Sequence, residues 1–198
     1  MEGKDERFVV QGLAGARTLS GRIPVYGAKN AALKAMAAAL LFKDKVTLKN
    51  LPDIEDVRRM EDLLSDLGVV ITRPSARIAR FSTTNIRTHV LSPAISKRLR
   101  ASIALSGPLL ARTGKVSFPH PGGCVIGARP IDLYIEAFQK IGAHVVQKDE
   151  MYMISAPKGC LRGAEIFFRK QSVVATETFM MAAVLAKGTT TLKNVAME

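Results

Sequence analysis

The 198-residue sequence predicts an α/β fold built from a repeated unit of strand, helix, strand, helix and two closing strands, with a third copy left incomplete. Three observations lead there. Small-residue helical segments, each followed by a strand-like run, recur at spacings of roughly 70 residues, well above the solenoid range. Each segment carries apolar residues at helical spacing. Two of them are followed by a second amphipathic stretch that stops at a glycine and passes into β-rich sequence.

The first unit opens its helix in "AKNAALKAMAAALLFKDKVTLKN" (28–50), where Leu33, Met36, Ala37, Leu40 and Leu41 follow the i, i+3, i+4, i+7, i+8 pattern of one buried face. Its second helix, "IEDVRRMEDLLSDLG", sets Val57, Met60, Leu64 and Leu67 on one side and stops at Gly68 before the strand "VVITRP". The second unit repeats this order in "ISKRLRASIALSGPLLARTGKVSF" (95–118), read as one helix over 95–112 with Leu99, Ile103, Ser106 and Leu110 as its stripe, then a strand. "IDLYIEAFQKIG" is its second helix, with Ile131, Ile135, Phe138 and Ile141 inward and Gly142 as the stop before "HVVQKD". The third unit, "VVATETFMMAAVLAKGTTTLKN" (173–194), has the stripe Val174, Thr178, Met181, Ala182 and Leu185 and shares "TLKN" with the first. Its second helix and closing strands do not follow. A periodic architecture that stops within a unit leaves a sheet face uncovered, so a fragment is expected, with an atypical terminal repeat as the alternative.

Composition narrows the classes of function. The 47% hydrophobic content supports a real core, and no apolar run is long enough to span a bilayer. The charged start "MEGKDERF" lacks the apolar centre of a secretory signal. Cys124 and Cys160 are too few for a disulfide framework and no Cys/His spacing fits a metal, so a reducing cytoplasm without structural metal is expected. The formal charge of +12 favours anionic ligands. Its cations are scattered, tryptophan is absent and no nucleic-acid-binding signature occurs, which argues against nucleic acid and for a basic cleft that takes small phosphorylated or carboxylated molecules.

Candidate chemistry sits where loops enter helices. In "SFPHPGGCVIGARPIDLY", Gly122 and Gly123 free the backbone beside Cys124, whose thiol is a nucleophile or proton donor favoured as thiolate by Arg129, or else a small buried hydrophobe. Pro130 suits a first helical turn, whose free N–H groups beside Arg129 make an anion site, while Asp132 fits as a partner of the helix dipole. "YGAKNAAL" puts Lys29 and Asn30 at another helix start, fit to hold an anion and a hydroxyl. In "KRLRAS", helical geometry sets Arg100 with Ser96 and Leu99 and turns Lys97 and Arg98 elsewhere. Three cations at corresponding junctions of repeated units can thus meet around one cleft. The histidines His89, His120 and His144 have no ligand spacing.

Four stretches, in order and spacing, resemble the N-terminal half of the enolpyruvyl transferase family, in its branch that acts on UDP-N-acetylglucosamine: "GAKNAAL", "LRASI…GPLLAR", "PGGCVIGARPIDL" and "KQSVVAT". The likeness covers essentially the whole chain, and the cysteine loop with "IGARP" is its most specific part. It implies an inside-out α/β barrel of βαβαββ units in two domains, with residues 1–21 a strand segment of the other domain and 22–198 a domain truncated in its third repeat. It also implies transfer of the enolpyruvyl group from phosphoenolpyruvate to the 3-hydroxyl of UDP-N-acetylglucosamine with release of phosphate, the step that opens peptidoglycan synthesis. By the same resemblance Lys29, Asn30 and Arg129 hold phosphoenolpyruvate. Arg100, the run Arg129, Pro130, Ile131, Asp132 and Leu133, and the segment Lys170, Ser172 and Val173 hold the UDP-sugar. Cys124 is the loop thiol, a proton donor or an aid to product release, and the residue alkylated by fosfomycin. No metal or organic cofactor is implied. The general base is expected in a C-terminal half beyond residue 198, so this chain alone is expected to be inactive. The chain departs from the family pattern at Tyr134, Ala104 and Val174. Related readings are the shikimate-pathway synthase, which lacks the cysteine loop, and a non-catalytic sugar-nucleotide-binding paralogue.

Overall fold

The structure, a computed structural model, describes residues 9–15, 18–120 and 131–197. The first unit contains α1 (Lys29–Ala38), β1 (Lys45–Lys49), α2 (Glu55–Asp66), β2 (Val70–Ser75) and β3 (Ile78–Ser82). The second contains α3 (Pro93–Ser96), α4 (Ser106–Thr113), β4 (Lys115–Pro119), α5 (Asp132–Lys140), β5 (His144–Lys148) and β6 (Met151–Ser155). The third contains β7 (Glu165–Phe167), α6 (Val173–Val184) and β8 (Thr191–Lys193).

The two complete units fold alike. Their sheets have the orders β1-β3-β2 and β4-β6-β5, with every pair antiparallel. Beside β4 the chain at Val90 bridges Ser117 in parallel, and in the third unit β7 and β8 pair in parallel. These are the strand that precedes and the strand that follows each unit's first helix. In the first unit the corresponding residues 18–28 form no strand, so among the described residues β1 pairs on one side only.

Apolar periodicity accounts for the layers. α1, α4 and α6 form a buried centre that includes Met36, Leu40, Leu110 and Phe179, while the sheets lie outside and alternate inward with exposed residues, as in Lys45–Lys49, where half-buried Val46 and Leu48 alternate with exposed neighbours. α2 buries Val57, Met60, Leu63, Leu64 and Leu67, and α5 buries Ala137 and Phe138 beside Ile141. Both end where the sequence predicts. Gly68 and Gly142 adopt φ of +100° and +85°, a left-handed stop closed to most side chains. Asn50 and Asn194, the last residues of the two "TLKN" runs, turn the chain out of β1 and β8 with φ of +59° and +54°. Phe179 sits at the centre of the aromatic cluster, 4.7 Å from the Phe138 ring, with Tyr134 and Phe168 at 6.2 and 6.0 Å.

The second unit corrects one expectation. The helix read over 95–112 is broken: α3 stops at Ser96, Leu99 is extended (φ −126°, ψ 97°), and a 3-10 stretch, Arg100–Leu105, leads into α4. Pro108 lacks the N–H that would bond back to Ala104, which favours the tighter winding before it. Long-range contacts hold the opening: Arg59 donates to the Arg98 carbonyl, and the Lys97 ammonium pairs with Glu150. The predicted stripe survives because Leu99, Ile103, Ser106 and Leu110 are buried from either conformation.

Candidate functional site

Packing within the centre decides which helix starts share an end. α1 packs against the 3-10 stretch Arg100–Leu105, whereas the 3-10 turn after it, Ala39–Leu41, packs against α4. The first-unit and second-unit helices therefore run parallel. Arg112 marks their far end by donating to the carbonyls of Leu40 (3.3 Å) and Phe42 (2.6 Å). Lys29, Asn30 and Arg100 consequently lie toward the same, near end.

In the first and third units the strand after the helix returns to this start. A Cβ on Gly27 would lie 2.0 Å from the Asn50 carbonyl, so only glycine lets β1 end against α1. Past β8, Ala196 donates its N–H to Thr176 Oγ1 at 3.2 Å, and Gln171 Nε2 donates to the Val195 carbonyl at 3.2 Å. In the second unit β4 runs to Pro119, and His120 N–H bonds to Glu150, the partner of Lys97.

The candidate residues differ in how firmly they are held. α1 begins at Lys29 with no side-chain cap, so its first-turn amides are open to an anion. Lys29 is half exposed and pairs with Asp56 in the first turn of α2, Nζ to Oδ2 3.0 Å. Arg100 opens the 3-10 stretch, partly buried and engaged by its surroundings. That position contradicts the helical reading that set it beside Ser96 and Leu99, because the chain is extended at Leu99.

A second group forms at α5 and α6. Ser172 caps α6 by accepting from Ala175 N–H at 3.3 Å, and Val173 is the first helical residue. Lys170 is exposed in the preceding segment, which Phe168 anchors in the core and Arg169 ties to Glu136 of α5 at 3.0 Å. This brings 170–173 toward the start of α5, where Ile131 is buried, Asp132 exposed in the first turn and Leu133 half-buried. Ile131 and Asp132 also line a shallow groove of about 440 Å³ against Tyr152. Tyr134 packs against Phe179 instead of facing solvent. Cys124, Arg129 and Pro130 lie outside the described residues, between His120 and Ile131.

Sequence reasoning missed Asp56, whose place in an acidic first turn, "EDVRR", reads only as a dipole partner. It missed Glu150 as the partner of Lys97. That carboxyl is held below its ordinary range by the hydrogen bond from Lys97 and then by the ammonium charge. It also missed the ion pair of Lys34 and Glu177, for which one sequence offers no signal. Cys160 is half-buried with its thiol directed to the Leu161 carbonyl. Among the described residues, no helix is long and apolar enough to cross a membrane.

Comparison with known proteins gives this arrangement its context. The profile of the EPSP synthase (3-phosphoshikimate 1-carboxyvinyltransferase) family matches residues 13–198. Proteins named UDP-N-acetylglucosamine 1-carboxyvinyltransferase from Wolinella succinogenes and Rhodospirillum centenum are each 44% identical to it, over 94% of this chain and 44% and 45% of their own lengths. The chain therefore spans less than half the length of these relatives. Among solved structures, the enolpyruvyl transferase NikO from Streptomyces tendae superposes with a TM-score of 0.75 at 19% identity, covering 91% of this chain and 42% of that one. An EPSP synthase from Acinetobacter baumannii does so at 0.70 and 16%, covering 90% and 41%.

Proposed function

Because the chain belongs to the EPSP synthase (3-phosphoshikimate 1-carboxyvinyltransferase) family, we propose that it forms part of a transferase that moves the enolpyruvyl group of phosphoenolpyruvate onto the 3-hydroxyl of UDP-N-acetylglucosamine. The observation that carries this reading is the 44% identity, across 94% of the chain, to proteins named for that activity. The shikimate-type alternative has the family description and a structural likeness of 16% identity, the latter speaking for the fold alone, and neither matches the 44% identity to the UDP-sugar enzymes. The role would be cytoplasmic and would serve peptidoglycan synthesis.

The described residues support a division of labour. Lys29, with the uncapped amides of α1, and Arg129 hold phosphoenolpyruvate, and Asn30 offers its amide to the same molecule. Asp56, 3.0 Å from Lys29, keeps the ammonium in place before ligand arrives. Arg100, the run Arg129 to Leu133, and Lys170, Ser172 and Val173 of the capped segment before α6 hold the UDP-sugar. The sugar 3-hydroxyl gives its proton to the general base expected in the C-terminal half as its oxygen adds to C2 of phosphoenolpyruvate, while a proton is delivered to C3. The C2–O bond to phosphate then breaks, a proton leaves C3, and the enol ether and inorganic phosphate remain. Cations fixed at the helix starts lower this barrier by meeting the charge that gathers on the departing phosphate. Cys124 acts as proton donor or release aid, and its thiol is the group that fosfomycin would alkylate.

The chain spans 44% of the Wolinella relative, so the partner proposed is the C-terminal half of the same kind of enzyme. The test is phosphate release from phosphoenolpyruvate and UDP-N-acetylglucosamine by this chain, alone and with the C-terminal half of that relative supplied in trans. Release is expected only from the combination, and is expected to fail with Lys29→Ala or Arg129→Ala. Release that requires shikimate 3-phosphate in place of the UDP-sugar would overturn the reading.

A further inference from the structure

Two charged side chains inside the helical centre have no part in the reaction just described. Lys34, in the second turn of α1, is 11% exposed, and its Nζ stands 2.7 Å from Oε2 of Glu177, in the second turn of α6 and 34% exposed. Glu177 is the only charged residue of α6, and Lys34 the only one of α1 beyond its first residue. Removing these two groups from water has a desolvation cost that an apolar pair of similar volume avoids. The geometry does little to offset it. Oε2 is buried with no donor aligned on it, so charge meets charge without a directed hydrogen bond. Stability alone is a poor reason for such a pair.

The packing offers a better one. α6 leans on the 3-10 stretch and α4 of the second unit, α1 leans on that stretch and reaches α4 through the turn Ala39–Leu41, and the two helices lean scarcely on one another. Among the described residues, Lys34 and Glu177 make the direct polar link between the two helices. Alanine-rich surfaces tolerate sliding along a helix axis, whereas a point contact between opposite charges selects one register. The link also joins the two groups of candidate residues. Lys29 and Asn30 lie a turn or so before Lys34, and Ser172 and Val173 as far before Glu177.

We infer that Lys34 and Glu177 are positioning residues whose ion pair fixes the register of α1 against α6, and so the spacing between the anion-holding start of α1 and the sugar-nucleotide segment before α6. The ligands named here rest on the function proposed above; the register does not.

The experiment separates the two. Spin labels at Ala31→Cys and Met180→Cys, both exposed positions, report the helix-to-helix distance in a chain whose native cysteines are changed to serine. Glu177→Gln and the double variant K34M/E177L remove the pair, and K34E/E177K restores it with reversed sign. The first two are expected to shift or broaden the distance distribution while the double variant melts at or above the parent temperature, and the reversed pair is expected to recover the parent distribution. In the label-free chain, affinity for UDP-N-acetylglucosamine measured by calorimetry is expected to fall roughly tenfold in Glu177→Gln, about 1.4 kcal/mol, and to recover in the reversed pair. A distribution unchanged in Glu177→Gln overturns the inference, and so does a shifted distribution with unchanged affinity. Failure of the parent chain to bind the UDP-sugar counts against the proposed function, and the distances then decide the register alone.

Discussion

Gly107→Ala is expected to destabilise the chain, although intrinsic helix preference says the opposite. Gly107 lies in α4 where that helix crosses α6, and a Cβ there would sit 2.2 Å from the Thr178 carbonyl oxygen and 2.9 Å from Thr178 Cγ2. The nearer atom belongs to the main chain of a buried helix, so a side-chain rotation cannot relieve it. Overpacking a core by one methyl costs about 1–3 kcal/mol, and a backbone obstacle puts this site at the upper end. Replacing glycine by alanine within a helix returns up to about 1 kcal/mol. The net loss is then about 2 kcal/mol, or roughly 4–8 °C in thermal midpoint for a chain of this size. Thermal unfolding followed by circular dichroism, with parent and variant side by side, measures it. A midpoint equal to or above the parent's would mean that α4 and α6 are not in the close contact described.

Other perturbations test other parts. Ser172→Ala removes the cap of α6 and should cost about 1 kcal/mol by denaturant titration, whereas Ser172→Asp should keep the cap yet weaken UDP-sugar binding in calorimetry by placing a negative charge beside it. Equal binding by Ser172→Asp and the parent would remove Ser172 from the ligand site. Phe179→Ala empties the centre of the aromatic cluster and should lower stability by about 3–5 kcal/mol in the same titration. Glu150 has a folded pKa below its ordinary 4.5, so its contribution to stability is present above that pH and lost as pH falls through the lowered value. The thermal midpoint of Glu150→Gln should accordingly decline less steeply with acid than the parent's, and parallel slopes would show that Lys97 and Glu150 do not pair in solution.

The parts of the fold that could be read from the sequence are those fixed by local rules. The inward residues of α2 and its stop at Gly68 follow from spacing and from a backbone angle only glycine accepts readily. The break at Leu99 does not, because burial of Leu99 and Ile103 satisfies a helix and a 3-10 stretch equally. Partners from elsewhere, Arg59 and Glu150, open the chain there, although Pro108 was a visible warning against one continuous helix. The site divides the same way. Lys29 and Ser172 stand at helix starts as their residue types allow, while Asp56 beside Lys29 and the pairing of Lys34 with Glu177 depend on how separate units meet.

Asn50 and Asn194 do the same thing at two distant points of one polypeptide. Each closes a Thr-Leu-Lys-Asn run by leaving the strand through a left-handed residue, so the exit instruction travels with the tetrapeptide, although Asn194 also donates its side-chain amide to the Phe168 carbonyl. A segment that carries its own punctuation can be copied or exchanged without redesigning the neighbouring chain. Splicing modules together at this shared tetrapeptide, 47–50 in one and 191–194 in the other, is therefore the mildest way to begin building hybrids from this scaffold.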